Sequence, residues 1–143
     1  MEFKNEKRLR DFFILKIQGR GKTELKSTKE KGFLGEEKAV SYLVKKGYRI
    51  LERNFRTREG EIDIIAFKGE ILVFVEVKSL PKGNIEVLSH ELNSKKCGRI
   101  IKTAKIYLQK YRQYINSLIR FDVLAIDVPG LEPVYHIENA FWE

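Results

Sequence analysis

Hydrophobic and polar positions in the middle of the chain follow a pattern that predicts a β-hairpin. Two segments, 61–68 and 71–78, are rich in β-branched and aromatic residues and are separated by Gly69-Glu70. A Gly-X pair between two such segments is typical of a type II′ turn. Both segments are apolar enough to lie inside a sheet, so we expect two central antiparallel strands.

Charged residues interrupt one face of this hairpin. We expect Lys68 to pair with Ile71 across the turn, and counting back along both strands then places Asp63 opposite Glu76. Lys78 lies on the same face, because side chains alternate between faces with a period of two. In a structural interpretation, Lys78 neutralises two acids that would otherwise destabilise the sheet. In a functional interpretation, the carboxylates bind a divalent cation and Lys78 positions or activates a water molecule.

Apolar spacing predicts further elements on both sides of the hairpin. They are a helix over 31–46 closed by Gly47, a strand over 48–55, a loop over 79–93, a helix over 94–118 and strands over 120–128 and 134–137, with Phe141 and Trp142 covering the core.

The helix over 94–118 has the clearest pattern in the chain. Basic residues occupy one of its faces, and most of them are expected to be solvated, although Lys96 and Arg99 in its first turns are placed to reach a phosphate. The opposite face carries apolar residues at spacings of four and three, namely Cys97, Ile101, Ala104, Leu108, Tyr111, Ile115 and Leu118.

Glu36 lies on the predicted buried side of the first helix. It precedes Val40 by four residues, and Val40, Leu43 and Val44 form the apolar stripe. A glutamate in that position needs a cation, a metal ion or a hydrogen bond. The alternative is an acid of the first turn that complements the helix dipole.

The charge of the chain favours a polyanionic partner. The formal net charge is +8 and the isoelectric point is near 9.5, which indicates nucleic acid first and an anionic membrane surface second. Arg56 and Arg58, in the loop before the hairpin, are placed either to contact phosphates or to remain solvated. Two histidines and one cysteine exclude a conventional zinc site and an internal disulfide.

Residues 1–30 form a separate basic extension in this interpretation, and 31–143 form one α/β domain. The extension contains nine lysines and arginines against five acids and a segment, 5–18, that predicts a short amphipathic helix. A basic arm that adds phosphate contacts, a solvated tail and an arm that packs on a partner are all consistent with it. The chain has no apolar run of membrane-spanning length and no signal-peptide core, so we expect a cytoplasmic protein.

A set of short motifs runs through the domain in order. They are Gly35-Glu36-x-x-Ala39, Gly47-Tyr48, Arg53-Asn54, Gly60-Glu61-Ile62-Asp63, Val75-Glu76-Val77-Lys78, Lys96-x-x-Arg99-Ile100, Ala104, Arg120-Phe121-Asp122 and Asn139-Ala140-Phe141. This order of motifs and elements resembles the PD-(D/E)XK nuclease superfamily and, within it, the YraN-like family, which is similar to archaeal Holliday-junction resolvases. The resemblance covers residues 32–141 and implies a restriction-endonuclease-like core with a central mixed β-sheet flanked by helices.

The resemblance also implies roles for individual residues. Asp63, Glu76 and the carbonyl of Val77 would hold Mg²⁺ or Mn²⁺, and Lys78 would orient or deprotonate the attacking water. Glu36 would complete the site, directly or through a metal-bound water, and Glu61 would assist. The candidates for nucleic-acid contacts come from position along the chain rather than from the resemblance, and they are Arg56, Arg58, Lys96 and Arg99.

The expected function is therefore that of a metal-dependent endonuclease acting on DNA, with branched DNA as a candidate substrate. The alternatives are a nucleic-acid-binding module of the same fold that cleaves nothing, an RNA-processing nuclease, and a membrane-surface protein supported only by the basic charge. Junction resolvases of similar fold act as symmetric dimers, so a homodimer is part of the expectation.

Overall fold

A mixed sheet of five strands in the order β1-β2-β3-β4-β5 forms the centre of the fold. The computed structural model describes residues 28–143, apart from the side chains of Thr28 and Lys31. The first three strands form an antiparallel meander, β3 and β4 are parallel, and β4 and β5 are antiparallel. The elements are α1 (Thr28–Lys45), β1 (Arg49–Arg56), β2 (Glu61–Lys68), β3 (Ile71–Ser79), α2 (Ile85–Glu91), α3 (Ser94–Lys110), β4 (Leu118–Ile126) and β5 (Val134–Phe141).

Helices cover both faces of this sheet. Ala39 and Leu43 of α1 pack on one face, and Ile100, Ala104 and Tyr107 of α3 pack on the other. The long connection between β3 and β4 contains α2 and α3, as a crossover between parallel strands requires. The α/β fold with a mixed sheet flanked by helices is thus confirmed, and it is consistent with a restriction-endonuclease-like core.

The hairpin has the predicted register. Lys68 pairs with Ile71, and the pairing continues to Ile64 and Val75. Gly69 has a φ of +62°, whereas Glu70 is not among the described residues with positive φ, as a type II′ turn requires.

The first helix begins at Thr28 rather than at Lys31. Val44 is 37% exposed, so its predicted place in the buried stripe was wrong. The buried line of α1 runs instead through Gly35, Ala39 and Leu43, and it brings Gly35 so near β3 that a Cβ there would lie 3.1 Å from Cβ of Ser79. This close approach carries the adjacent Glu36 to the end of the hairpin.

The segment 79–93, predicted as a loop, contains the helix α2. The side chain of Asn84 caps it by accepting a hydrogen bond from the backbone N–H of Val87 at 3.0 Å. Leu88 is its single buried residue and packs against Val123 and Ala125 of β4. One buried position in seven residues gives no periodicity, which is why the sequence pattern missed this helix.

The prediction for the long helix was wrong at its C-terminal end. Its apolar face was confirmed in part, because Ala104 is buried and Ile101 and Leu108 are half-buried and pack on the core. The helix ends at Lys110, and Leu118, predicted to be its last buried residue, opens β4 and is 63% exposed. The backbone N–H of Leu118 donates to the carbonyl of Glu70 at 2.9 Å, so strand pairing rather than helical spacing places it. The buried residues of the helix are Ile100, Thr103, Ala104 and Tyr107, of which only Ala104 was predicted.

The last two strands differ from their predicted ranges. Strand β4 covers 118–126 rather than 120–128, and β5 extends to Phe141 rather than ending at Ile137. Phe141 stacks on Phe121 with ring centroids 5.2 Å apart, as expected of a residue that covers the core. Trp142 is 73% exposed, so its predicted place over the core was wrong.

A buried polar cluster joins β4 and β5. The carboxylate of Asp122 is fully buried and accepts two hydrogen bonds from Arg120 at 2.8 Å and one from the backbone N–H of Asn139 at 3.0 Å. His136 lies 2.7 Å from the same carboxylate, and Arg120 also donates to the hydroxyl of Tyr48 at 2.6 Å. Burial alone would raise the pKa of Asp122, but these hydrogen bonds outweigh it and lower the pKa.

The predicted helix over 5–18 and nearly all of the predicted basic extension lie outside the described residues. Across 28–143, none of the helices combines the length and the apolar character that crossing a membrane requires.

Candidate active site

Asp63 lies where the pairing of β2 with β3 ends. The last backbone pair is Ile64 with Val75, so Asp63 and Glu76 occupy the next positions, as the register predicted. Oδ2 of Asp63 accepts a hydrogen bond from the backbone N–H of Val77 at 2.8 Å. The side chain thereby takes the place of a ladder hydrogen bond and fixes the carboxylate at the end of the hairpin. No donor among residues 28–143 reaches its second oxygen, which is free to bind a ligand.

Glu76 is held by a lysine from a different element than expected. Its side chain is 6% exposed, and its Oε1 lies 2.6 Å from Nζ of Lys96. Lys96 belongs to the first turn of α3, where its backbone N–H donates to the capping side chain of Asn93 at 3.0 Å. An ionised carboxylate with so little exposure requires a cation, and Lys96 supplies it.

The surroundings of Asp63 raise its pKa to about 7. Burial is the largest cause, the negative charge of Glu76 adds to it, and the hydrogen bond from Val77 opposes both. Glu36 and Glu61 contribute smaller increases, so both lie within electrostatic reach of Asp63. A carboxyl group with this pKa would be held in its ionised form by a bound cation.

Lys78 contacts Glu91 rather than Asp63 or Glu76. Its Nζ lies 3.1 Å from Oε2 of Glu91, the last residue of α2. The structural interpretation in which Lys78 neutralises both hairpin acids was therefore wrong, because Lys96 pairs with Glu76. Lys78 nevertheless stays at the site, where it is also a neighbour of Lys96.

Glu36 reaches the site from α1. Its Oε2 accepts a hydrogen bond from Nδ2 of Asn54 at 3.3 Å and lies 3.7 Å from Arg53. Arg53 pairs more closely with Glu37, at 2.5 Å. Burial raises the pKa of Glu36, and the hydrogen bond from Asn54 and the charge of Arg53 offset this only in part.

Asp63, Glu76 and Lys96 line a cleft of about 520 Å³, whereas the predicted site residues Glu36 and Lys78 are not among its lining residues. A second cleft of about 600 Å³ adjoins it, and the two share Gly60, Lys95 and Arg99. The first is lined by Gly60, Glu61, Asp63, Glu76, Glu91, Asn93, Lys95, Lys96, Arg99 and Ile100.

The second cleft is a basic groove, defined here by Arg58, Lys95, Arg99 and Lys102, and one acid, Glu59, also lines it. None of the four has a carboxylate within 4 Å among the residues that the structure describes. Several other basic residues of the domain are paired with acids, including Lys38, Arg53 and Arg120. Arg56, for example, is 73% exposed and lies 2.8 Å from Glu61.

The structure thus brings Asp63, Glu76, Lys96 and Arg99 to one cleft, and places Arg58 in the adjoining groove. Sequence analysis missed Glu91 and Lys95 as site residues. The sequence does contain an indication that the end of α2 and the start of α3 belong to the site, because the charges at both helix ends are unfavourable for the helix dipole. Acids favour the first turn of a helix and bases the last, whereas α3 begins with Lys95-Lys96 and α2 ends with Glu91.

The donor set suits a magnesium-like cation. Asp63 and Glu76 provide two carboxylates at the open end of the hairpin, and Mg²⁺ is commonly bound by one or two carboxylates together with water and substrate phosphates. Within residues 28–143, no three histidine, cysteine or acidic side chains are grouped closely enough to hold a metal ion together.

Comparison with known proteins identifies the family. Residues 35–126, well over half of the chain, match the family model described as "Uncharacterised protein family UPF0102". The chain belongs to the UPF0102 family. This confirms the YraN-like resemblance that the motifs indicated, and the match includes Glu36, Asp63, Glu76 and Lys78.

UPF0102 relatives occur in several bacteria. The proteins of Persephonella marina and Treponema denticola are 47% and 46% identical to this chain, over 78% and 77% of it and over 92% and 93% of their own lengths. A third, from Geobacter metallireducens, is 46% identical over 79% of this chain and 93% of its own length. All three are named UPF0102 protein, and these names state no activity.

Proposed function

We propose that this UPF0102 protein is a metal-dependent endonuclease that hydrolyses phosphodiester bonds, with DNA favoured over RNA and branched DNA as a candidate substrate. The observation that carries the proposal is the convergence of Asp63 and Glu76 in a cleft that opens into an unpaired basic groove. A homodimer and a cytoplasmic location are part of the proposal.

Two carboxylates and a lysine would perform the chemistry. Asp63 and Glu76, with the carbonyl of Val77, would hold Mg²⁺ or Mn²⁺. Such an ion polarises the phosphate and lowers the pKa of bound water. Lys78 would orient or deprotonate the attacking water and offset the negative charge of the transition state. Glu36 would complete the site, directly or through a metal-bound water.

The basic groove would hold the nucleic-acid backbone. Arg58, Lys95, Arg99 and Lys102 have no acidic partner among the described residues, so they can contact phosphates without first breaking an ion pair. Phosphate contacts of this kind position a nucleic acid without reading its sequence. Arg56 is exposed beside the site and would add a contact by exchanging Glu61 for a phosphate.

Cleavage assays test the proposal. End-labelled single-stranded, duplex, flap and four-way-junction DNA, and RNA, would be incubated with Mg²⁺, Mn²⁺ or EDTA. Folded Asp63→Ala and Lys78→Ala proteins exclude a contaminating nuclease, and Lys110→Ala, at the far end of α3, is the matched control. We expect products that require metal and disappear in the first two variants but not in the third.

The second candidate is a nucleic-acid-binding module without activity. The basic groove favours it, because binding of a polyanion there requires no metal ion. Binding that is steeply salt-dependent, with no products on any substrate, would replace the nuclease proposal with this one.

A further inference from the structure

We propose that Lys96 is an internal cation of the site, which neutralises Glu76 in the metal-free protein and leaves Glu76 when a divalent cation binds. The inference rests on the metal site of the proposed function, although it does not require that the protein cleave nucleic acid.

Lys96 pairs with a carboxylate that would also be a ligand of the metal ion in the proposed function. Its Nζ lies 2.6 Å from Oε1 of Glu76, at the carboxylate that would share a cation with Asp63. In the proposed function, a divalent ion would bind the same carboxylate. Two cations at one carboxylate in a partly buried cleft repel each other strongly, so metal binding favours release of the lysine.

Neither Lys96 nor Glu91 is placed where its charge would stabilise its own helix. Lys96 lies in the first turn of α3, where no acid is present and where the helix dipole disfavours a cation. Glu91, at the end of α2, is likewise placed against the dipole. Each residue instead pairs with β3, Lys96 with Glu76 and Glu91 with Lys78. Breaches of local preference of this kind are expected at functional sites.

The displaced ammonium group of Lys96 can move towards the adjoining basic groove. The side chain of Lys96 is 36% exposed, and its cleft adjoins the basic groove through Lys95 and Arg99. Metal binding would therefore convert Lys96 from a partner of Glu76 into an additional cation for a phosphate. Metal and nucleic acid would then each strengthen the binding of the other, as linkage requires.

Calorimetric titration of Mn²⁺ into the substrate-free full-length protein, previously stripped with EDTA, tests the inference. Lys96→Met removes the competing cation, and we expect it to bind Mn²⁺ about tenfold more tightly than wild type. Lys95→Met is the matched control, because this neighbouring lysine lines the same cleft without pairing with Glu76. Its affinity should stay within about twofold of wild type, since an exposed charge is screened.

A second measurement uses wild-type protein and so does not depend on the folding of a variant. Brief acetylation followed by mass spectrometry reports the accessibility of each lysine amine. We expect Mn²⁺ to raise labelling of Lys96 several-fold relative to Lys95, because the ion pair with Glu76 protects the amine only in the metal-free state.

The outcomes separate this inference from the nuclease proposal. Unchanged or weaker Mn²⁺ binding by Lys96→Met, or unchanged labelling of Lys96, overturns the inference even if wild type cleaves DNA. Tighter binding by the variant supports it even if no substrate is cut. Absence of Mn²⁺ binding in every protein overturns both.

Discussion

Nζ of Lys78 lies 3.1 Å from Oε2 of Glu91, so the lysine of the hairpin is held by an acid from α2. One of the two interpretations of the sequence paired this lysine with Asp63 and Glu76, but Lys96 is the lysine that pairs with Glu76. The site therefore contains two lysines with different partners, and this division of roles leads to separate predictions for each.

Replacing Glu91 should distinguish its role in positioning Lys78 from the role of Lys78 in cleavage. Glu91→Gln removes the partner of Lys78, and we expect less than about tenfold loss of cleavage and a stability loss of about 0.5–1 kcal/mol, as for a partly exposed ion pair. Lys78→Ala should reduce cleavage about 100-fold or more, as expected for loss of a general acid or base. Single-turnover rates and urea denaturation measure both effects. Equal losses of activity in the two variants would contradict this division.

The raised pKa of Asp63 predicts how stability depends on pH without metal. Because its pKa is about 7 in the folded protein, against an ordinary value of 3.8, the folded state binds this proton more tightly than the unfolded chain does. This contribution to stability is present below about pH 4. It is lost progressively as the pH rises towards 7.

Asp63→Asn should remove the decrease in stability that accompanies ionisation of Asp63. We expect the variant to be more stable than wild type at pH 8 in EDTA by about 1 kcal/mol or more, and the difference to shrink at pH 5. Urea denaturation at several pH values measures it. If Asp63→Asn is less stable than wild type at pH 8, then ionised Asp63 does not destabilise the metal-free protein and the prediction is wrong.

The buried polar cluster around Asp122 should govern stability. Asp122→Asn leaves Arg120 without its buried carboxylate, and we expect a loss of about 3–5 kcal/mol in the free energy of unfolding. Asp127→Asn is the matched control, because Asp127 is exposed and pairs with Lys38 at the surface. It should cost at most about 1 kcal/mol, and similar losses in the two variants would contradict a special role for the cluster.

Removing one positive charge from the basic groove should weaken nucleic-acid binding and also reduce the dependence of that binding on salt. Arg99→Gln and Lys102→Gln should each lower the slope of log K against log salt by about 1. Lys105→Gln, on the same helix but paired with Glu143, should have a smaller effect. Fluorescence anisotropy in EDTA isolates binding from cleavage. A slope unaffected by both groove variants would exclude the groove as the phosphate contact.

Much of the site follows from local sequence. The turn at Gly69-Glu70 and the alternation of apolar residues determine the hairpin register, and the register alone places Asp63 beside Glu76. Both are properties of adjacent residues, so they can be counted along the chain. The order of the five strands and of the two long helices could be predicted for the same reason, whereas α2 could not.

Tertiary structure decided the remaining features. Burial of Leu88 stabilises α2, and pairing with the turn at Glu70 assigns Leu118 to β4, although its spacing suits a helix. The partner of Glu76 was hidden for a related reason. Lys78 is its near neighbour in sequence, but the packing of α3 on the sheet brings Lys96 to its carboxylate, at 2.6 Å. The sequence by itself determined which acids meet, because strand register is local. Only the folded structure decided which cation neutralises them, because that depends on how a distant helix packs.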